Sequence, residues 1–411
     1  MPALGFLQAL PVALRAAALL AAGVLALALL ATCGQASTLS NVAPADATLT
    51  PNGDGKDDTL TISYTIGQRS RVKVYLEDSA GKQYMLRDDV ERFPASQPYN
   101  LRFDGTVRGD EPAVLQRVLP DGDYRYVIEA TPVAGGATTR ESGTIAVREA
   151  ADELPMIEAL KVFPETVTPN EDALDDVANF SYRLPISATV SINVFEGADP
   201  LPLITGVNEG PFEQSHIWDG RRPDGSLLPS GVYTYTVRAS DPIGNIVERA
   251  GQIRIESPGR AEARISYIDI APVEVALGNV ITVTARVKNI GDVDIRTQGP
   301  AQAYRYNTNL AFSSIEDERW AEKGGGYWRF GLDWGGGHGY PFRWALSSRP
   351  PEQWAEPGVW DVLRPGEEVT ITGTVELRQR EDTMFFFGGL IHEGVGYPDH
   401  RKGVTQVDVG F

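Results

Sequence analysis

LPSGVYTYTVRA (residues 228–239) follows Trp218-Asp219-Gly220, and it answers an earlier stretch, LPDGDYRYVIEA (119–130), that follows Phe103-Asp104-Gly105. In both, large apolar residues take alternate positions after a glycine, the period of a half-buried strand entered through a bend. The correspondence extends upstream. TPNGDGKDD (50–58) matches TPNEDALDD (168–176), and each leads into an alternating run, TLTISYTI (59–66) or VANFSYRL (177–184). Next come RVKVYLED (71–78) and TVSINVFE (189–196), again alternating. The offset falls from 118 (Ser63 to Ser181) through 115 (Phe103 to Trp218) to 109 (Leu119 to Leu228), so the length changes lie between strands, where loops absorb them. A duplicated unit of about a hundred residues, built of short strands and Asp-Gly turns, predicts an immunoglobulin-like β-sandwich. Asp219-Gly220 and Asp224-Gly225 supply the positive φ that tight turns require. Tyr233 and Tyr235 share one strand face and read as core or sheet-face residues rather than a ligand platform.

Composition agrees with an all-β chain. The 411 residues include 42 glycines and 28 prolines but one cysteine and four methionines, a balance that suits turns more than helices. The length accommodates several domains with cores of their own. A net charge of −18 argues against nucleic acid as a partner. With one cysteine, Cys33, no disulfide can form within the chain. After Arg15 come seventeen uncharged residues, AAALLAAGVLALALLAT, and then Cys33, the order of a secretory signal. Cleavage near Ala36 and an uncleaved membrane anchor are the alternatives to modification at Cys33 itself. Each places the remainder of the chain outside the cytoplasm.

Several stretches resemble known families. Leu30-Ala31-Thr32-Cys33 resembles a bacterial lipoprotein box, which implies lipidation of Cys33 and membrane attachment through the lipid. WDGRRPDGSLLPSGVYTYTVRA (218–239) resembles the Ig-like domain of flagellar hook-capping proteins, a resemblance that implies a sandwich in an extracellular structural setting and no catalysis. TPNGDGKDD is similar to the opening of C-terminal sorting domains of gliding bacteria, although here it lies near the N-terminus. After the linker SPGRAE (257–262), ARISYIDIAPVEVALGNVITVTARVKNIGDVDI (263–295) and LRPGEEVTITGTVELRQ (363–379) resemble the bacterial cell-adhesion-related (CARDB-like) β-sandwich, bracketed by V-x-N-x-G and L-x-P-G-E.

The expected organisation is three tandem immunoglobulin-like β-sandwiches behind an N-terminal segment. Residues 1–33 form the signal or anchor and 34–46 a linker. Sandwiches follow at 47–148, 157–256 and 263–411, the last carrying an aromatic, glycine-rich insertion at about 304–360. EAADELPM (149–156) reads as a further linker.

Two features could carry chemistry. Asn52, Asp54, Asp57 and Asp58 are candidate calcium ligands, because calcium takes closely spaced oxygens from an acidic loop. Thr50, Asn52, Asp54 and Asp58 fall at EF-hand-like positions, but the bidentate glutamate is replaced by Thr61 and no helix flanks the loop. Asn170, Asp172, Asp175 and Asp176 form the equivalent set in the second copy, where Glu171 and Ala173 replace the glycines. The competing reading is that Asn and Asp cap their own backbone in a turn that proline enters. The second feature is the insertion, which holds six of the seven tryptophans. Trp328, Trp334, Trp344 and Trp354 are candidate glycan-stacking residues, or else the core of a long insertion. HEGVGYPDH (392–400) lacks the second histidine of HExxH, Arg108-Gly109-Asp110 is a tripeptide common by chance, and no nucleophile elbow or phosphate loop is present. The reading is therefore a non-catalytic cell-surface protein, with Ig-like domains as a stalk and the C-terminal domain as an adhesion or assembly contact. A carbohydrate-binding or glycan-processing protein and a subunit of an envelope complex or filament are the alternatives, with a surface protein or glycan as partner.

Overall fold

A computed structural model describes residues 37–321, 325–379 and 383–410. The signal or anchor segment, with Cys33, lies outside the described residues. The described chain forms 29 strands and a few single-turn 3-10 helices. It divides into two compact units: residues up to 155 together with 240–247, and residues 156–239 together with 248–411. The second unit thus holds two sandwiches, and the turn 240–247 counts with the first unit.

The first sandwich packs a three-stranded sheet on a five-stranded one. The strand Leu60–Ile66 is central in the small sheet, between Leu39–Ala43 and Tyr99–Phe103. In the large sheet the order is Asp46–Leu49, Thr139–Val147, Gly122–Pro132, Ser70–Glu77 and Gln83–Arg92. The alternation read from the sequence sets the faces: Ile62, Tyr64 and Ile66 point inward beside Val72, Val74, Tyr124, Tyr126 and Ile128. In the second sandwich Glu158–Phe163, Ala178–Arg183 and Glu213–Trp218 make the small sheet. Asp199–Glu209, Ala188–Glu196, Gly231–Ser240 and Ile246–Ile255 run side by side in the large one. In the third sandwich, Ala263–Ala271, Val280–Asn289, Glu368–Glu376 and Arg305–Asn307 face a sheet built on Thr383–His392, with Lys402–Gly410 on one side and Trp328–Trp334 on the other.

One topological feature recurs three times. The chain leaves its first strand, changes sheets, and pairs in parallel with the last strand: Asp46–Leu49 with Thr144–Val147, Thr166–Val167 with Arg254–Ile255, and Glu274–Ala276 with Asp408–Gly410. The third domain therefore shares the sheet-switching first strand of the two repeats, although no repeat was legible in its sequence.

The quoted tyrosine stretches form corners. The hydroxyl of Tyr124 donates to the Pro120 carbonyl at 2.9 Å, and that of Tyr233 to Pro229 at 2.7 Å, pinning each strand to the turn before it. Tyr233 and Tyr235 are 7% and 8% exposed, as core residues. In the third domain the two bracketing motifs meet at Asn289, which is fully buried. Its amide donates to the carbonyls of Val293 and Leu363, both at 2.8 Å, and its oxygen accepts from the Gly291 amide.

Gly105 and Gly220 explain the Asp-Gly turns. Each has positive φ (83° and 73°), and a Cβ on either would sit 2.8–2.9 Å from the proline of the Thr-Pro-Asn opening, Pro51 or Pro169. Gly225 has φ of 85° and open space around it. Gly225→Ala should therefore lose about 1–2 kcal/mol from backbone conformation alone. Gly220→Ala should lose about 1–3 kcal/mol more through the Pro169 overlap, read as a difference in denaturation midpoints.

Candidate functional site: the acidic loops and the joint they build

TPNGDGKDD and TPNEDALDD fold into the same cage. In the first, both oxygens of Asp58 face backbone amides: Asn52 and Gly53 donate to Oδ1 at 3.1 and 2.8 Å, and Gly55 to Oδ2 at 2.7 Å. In the second, Asn170 and Glu171 donate to Asp176 Oδ1 at 2.9 and 2.7 Å, and Ala173 to Oδ2 at 2.7 Å. Asn52 and Asn170 each cap the amide two residues on, as do Asp54 and Asp172. Thr50 and Thr168 close the loop through their hydroxyls, onto the carbonyls of Lys56 and Leu174. The missing glycines do not change the conformation, because Glu171 (φ 67°) and Ala173 (φ 65°) adopt the left-handed backbone of Gly53 and Gly55. The carboxylate facing three amides outweighs the conformational cost.

For calcium this donor set is a poor fit. Asn52, Asp54 and Asp58 point oxygens at amide hydrogens, and so do Asn170, Asp172 and Asp176; Asp57 and Asp175 are both exposed. The amides that converge on Asp58 and Asp176 occupy oxygen lone pairs that a cation would need. Among the described residues no group of three or more acidic, histidine or cysteine side chains is arranged to hold a metal. The Gly53 amide, with those of Gly55 and Asn52, holds the Asp58 carboxyl below the usual carboxylate range.

The loops act instead as seats for the chain that leaves each sandwich. Pro51 O accepts from the Ala151 amide, and Pro169 and Asn170 accept from Gly259 and Ala261, each at 3.0 Å. In the first unit Asn245, fully buried, accepts from the Val118 amide at 2.7 Å and donates to Ala151 O at 2.9 Å. In the second unit the cage meets the third sandwich directly. Arg296 Nη2 reaches Asp172 Oδ2 at 3.0 Å and Gly325 O at 3.1 Å. Gly326 (φ 56°) lies so close that a Cβ there would be 1.5 Å from the Asp172 carbonyl oxygen. Burial raises the pKa of the Asp172 carboxyl despite its Arg296 partner.

His392 closes the same joint from the third sandwich. It is 4% exposed and stacks on Trp328 with ring centroids 4.4 Å apart. Burial pushes its pKa down to about 4, against the pull of the Asp176 carboxylate and of the Gly326 and Asp172 backbone. The remainder of HEGVGYPDH disperses. Glu393 sits between Arg329 and Arg343, Asp399 accepts from the Ile265 amide, and His400 bonds Tyr340.

The insertion tryptophans have a structural task. Trp328, Trp334, Trp344 and Trp354 are 2%, 7%, 0% and 4% exposed. This corrects the expectation of an open row of stacking rings, since burial removes their faces from any glycan. Trp344 lies over Gly373, whose hydrogen leaves room for the indole, and donates to Tyr304 O at 3.1 Å. Trp334 stacks on Phe342 at 5.2 Å, and Trp354 donates to Arg349 O. The residues that line an open cleft are others: Trp360, Asn170, Asp294 and Arg296. Trp360 was visible as the last tryptophan of the insertion, but nothing in the sequence marked it as the exposed one.

Two measurements test the joint. Arg296→Met should cost the second unit roughly 1–3 kcal/mol, because Asp172 is left buried without its donor, and adding Asp172→Asn should restore part of it. His392 is neutral when folded and has an ordinary pKa when unfolded. Its stabilising contribution is therefore complete above about pH 6.5 and declines as pH falls toward 4. His392→Gln should flatten that slope in denaturation midpoints compared across this range.

No family model matches the chain, and no curated protein matches it. Solved structures that it resembles include the FN1–FN3 domains of chicken CNTN1, at 10% identity over 91% of this chain and 98% of that one, with a TM-score of 0.25. The ICAM-5 D1–D4 ectodomain fragment matches at 13% identity, over 90% and 76% of the two chains, with a TM-score of 0.26. A tetra-tandem repeat from the extending region of a large adhesion protein matches at 13% identity, over 90% and 71%, with a TM-score of 0.21. At these values the likenesses carry no conclusion about function, and the tandem immunoglobulin-like sandwich fold rests on the strand pairings themselves.

Proposed function

We propose that the protein is a non-catalytic component of a bacterial cell surface, in which Ig-like sandwiches space a C-terminal contact domain from the membrane for adhesion or surface assembly. The observation that carries this reading is the repeated seat. Each of the first two sandwiches uses an identical amide-lined carboxylate cage to receive the chain that leaves it, at Ala151 and at Gly259 and Ala261. Such a device fixes the chain where it leaves each sandwich, which suits a spacer. The acidic composition suits a solvated extracellular surface. The resemblances to hook-capping Ig-like and cell-adhesion-related domains point the same way, and the N-terminal segment ending at Cys33 supplies the attachment. No helix among the described residues is long and apolar enough to cross a membrane.

Intact cells expressing the protein should lose the third domain to added protease while cytoplasmic markers survive. Radiolabelled palmitate should enter the wild-type chain and not Cys33→Ala. Protection of the third domain from protease until lysis would sink the surface assignment, and labelling of Cys33→Ala would sink lipidation at that residue.

A further inference from the structure

We propose that the cleft between the second and third sandwiches binds a neutral saccharide, with the Trp360 indole as its stacking platform. The cleft has a volume of about 800 Å³, within the range that ligand sites occupy. Six of the seven tryptophans are no more than 7% exposed, and Trp360 is the partly exposed one. Its ring is fixed before any ligand arrives. Nε1 donates to Glu356 Oε2 at 2.5 Å, and the backbones of the two residues bond each other at 3.0 and 3.2 Å. Among the described residues no aromatic ring or cation covers it. A held ring loses little entropy on stacking.

The polar groups around it are mixed in kind. Asn170 is 8% exposed, and its oxygen accepts from the Asp172 amide. Asn170 lines the cleft, and its side-chain nitrogen has no hydrogen-bond partner among the described residues, which leaves that donor free to bond a ligand acceptor. Arg296 hydrogen-bonds Asp172 and Gly325 through Nη2 and lies over the Tyr327 ring, which leaves its other N–H groups without a hydrogen bond among the described residues. Asp175 and Asp294 line the cleft with carboxylates that no described residue pairs, whereas Asp292 is engaged by the Arg260 amide. A cation would use the carboxylates but would face Arg296 and leave Asn170 unsatisfied. An anion would be repelled by the aspartates. A sugar matches the whole set: its hydroxyls donate to Asp175 and Asp294 and accept from Asn170 and Arg296, while its apolar face lies on the indole.

The site deepens the adhesive reading, yet it is tested on the purified chain, so its failure is separable from a failure of surface location. The full chain, in a detergent without a sugar headgroup, is titrated with cellohexaose, maltohexaose, xylohexaose and chitohexaose, followed by calorimetry and tryptophan fluorescence. At least one should bind, with an affinity that 0.5 M NaCl leaves unchanged, as expected for neutral hydroxyls (the Debye length is then only about 4 Å). Trp360→Ala should weaken that binding at least tenfold, Trp360→Phe should weaken it less, and Asp294→Asn should weaken it too, with unfolding midpoints near wild type for the phenylalanine and asparagine variants. Three results would overturn the proposal: no binding of any hexaose, binding that survives both Trp360 substitutions, or salt-sensitive binding of hexalysine in place of every sugar.

Discussion

A carboxylate surrounded by three backbone amides, Asp58 in one copy and Asp176 in the other, is the constraint from which the seat of the departing chain follows in each. Charge-assisted hydrogen bonds to several amides at once fix a loop that would otherwise have no regular structure. Once the loop is fixed, its proline packs on the glycine of the Asp-Gly turn, and its carbonyls point outward to receive the departing chain. The Thr-Pro-Asn opening and the Asp-Gly turn, about fifty residues apart, are thus two halves of one packed cluster. The same cage lifts Asp172 toward Arg296 and brings Asp172 O against Gly326, so a local turn becomes the boundary of the third sandwich.

Inside the third sandwich a different interaction organises the long insertion. Glu393 is buried between Arg329 and Arg343, and both guanidiniums lie over the Phe312 ring, Arg343 at 3.8 Å from its centroid. Two cations and one anion in a buried site are tolerable because carbonyls take the remaining donors: Gln298 for Arg329, and Gly339 and Tyr340 for Arg343. Around this cluster the tryptophans pack ring on ring. Their indole N–H groups differ in fate: those of Trp320, Trp344 and Trp354 are bonded, while that of Trp328 has no partner among the described residues. The insertion is a second layer of core, which is why aromatic density in the sequence did not translate into an aromatic surface.

Much of the fold was legible because strand alternation and turn chemistry are local. The duplicated sandwiches, the inward tyrosines and the Asp-Gly turns could be read from residues within a few positions of one another. The candidate site was less legible. The acids of TPNGDGKDD were recognisable as a set, but a liganding carboxylate and one that caps its own amides share a spelling. The choice depends on which atoms the backbone turns inward. The third sandwich's sheet-switching first strand was also hidden, because Glu274–Ala276 is three residues long and finds its partner at the far end of the chain.

By itself, then, the sequence determined an all-β chain, its repeat, and the residues at which its strands turn, all consequences of periodicity and backbone preference. Tertiary structure alone decided what those residues face. It buried four tryptophans that looked available and left Trp360 open. It turned the oxygens of an acidic loop onto the loop's own amides and made the loop a seat for the next segment, and it set His392, Asp172 and Arg296 together across more than two hundred positions of chain. Contact between distant residues is settled by packing and desolvation, and neither is written in the neighbourhood of any one of them.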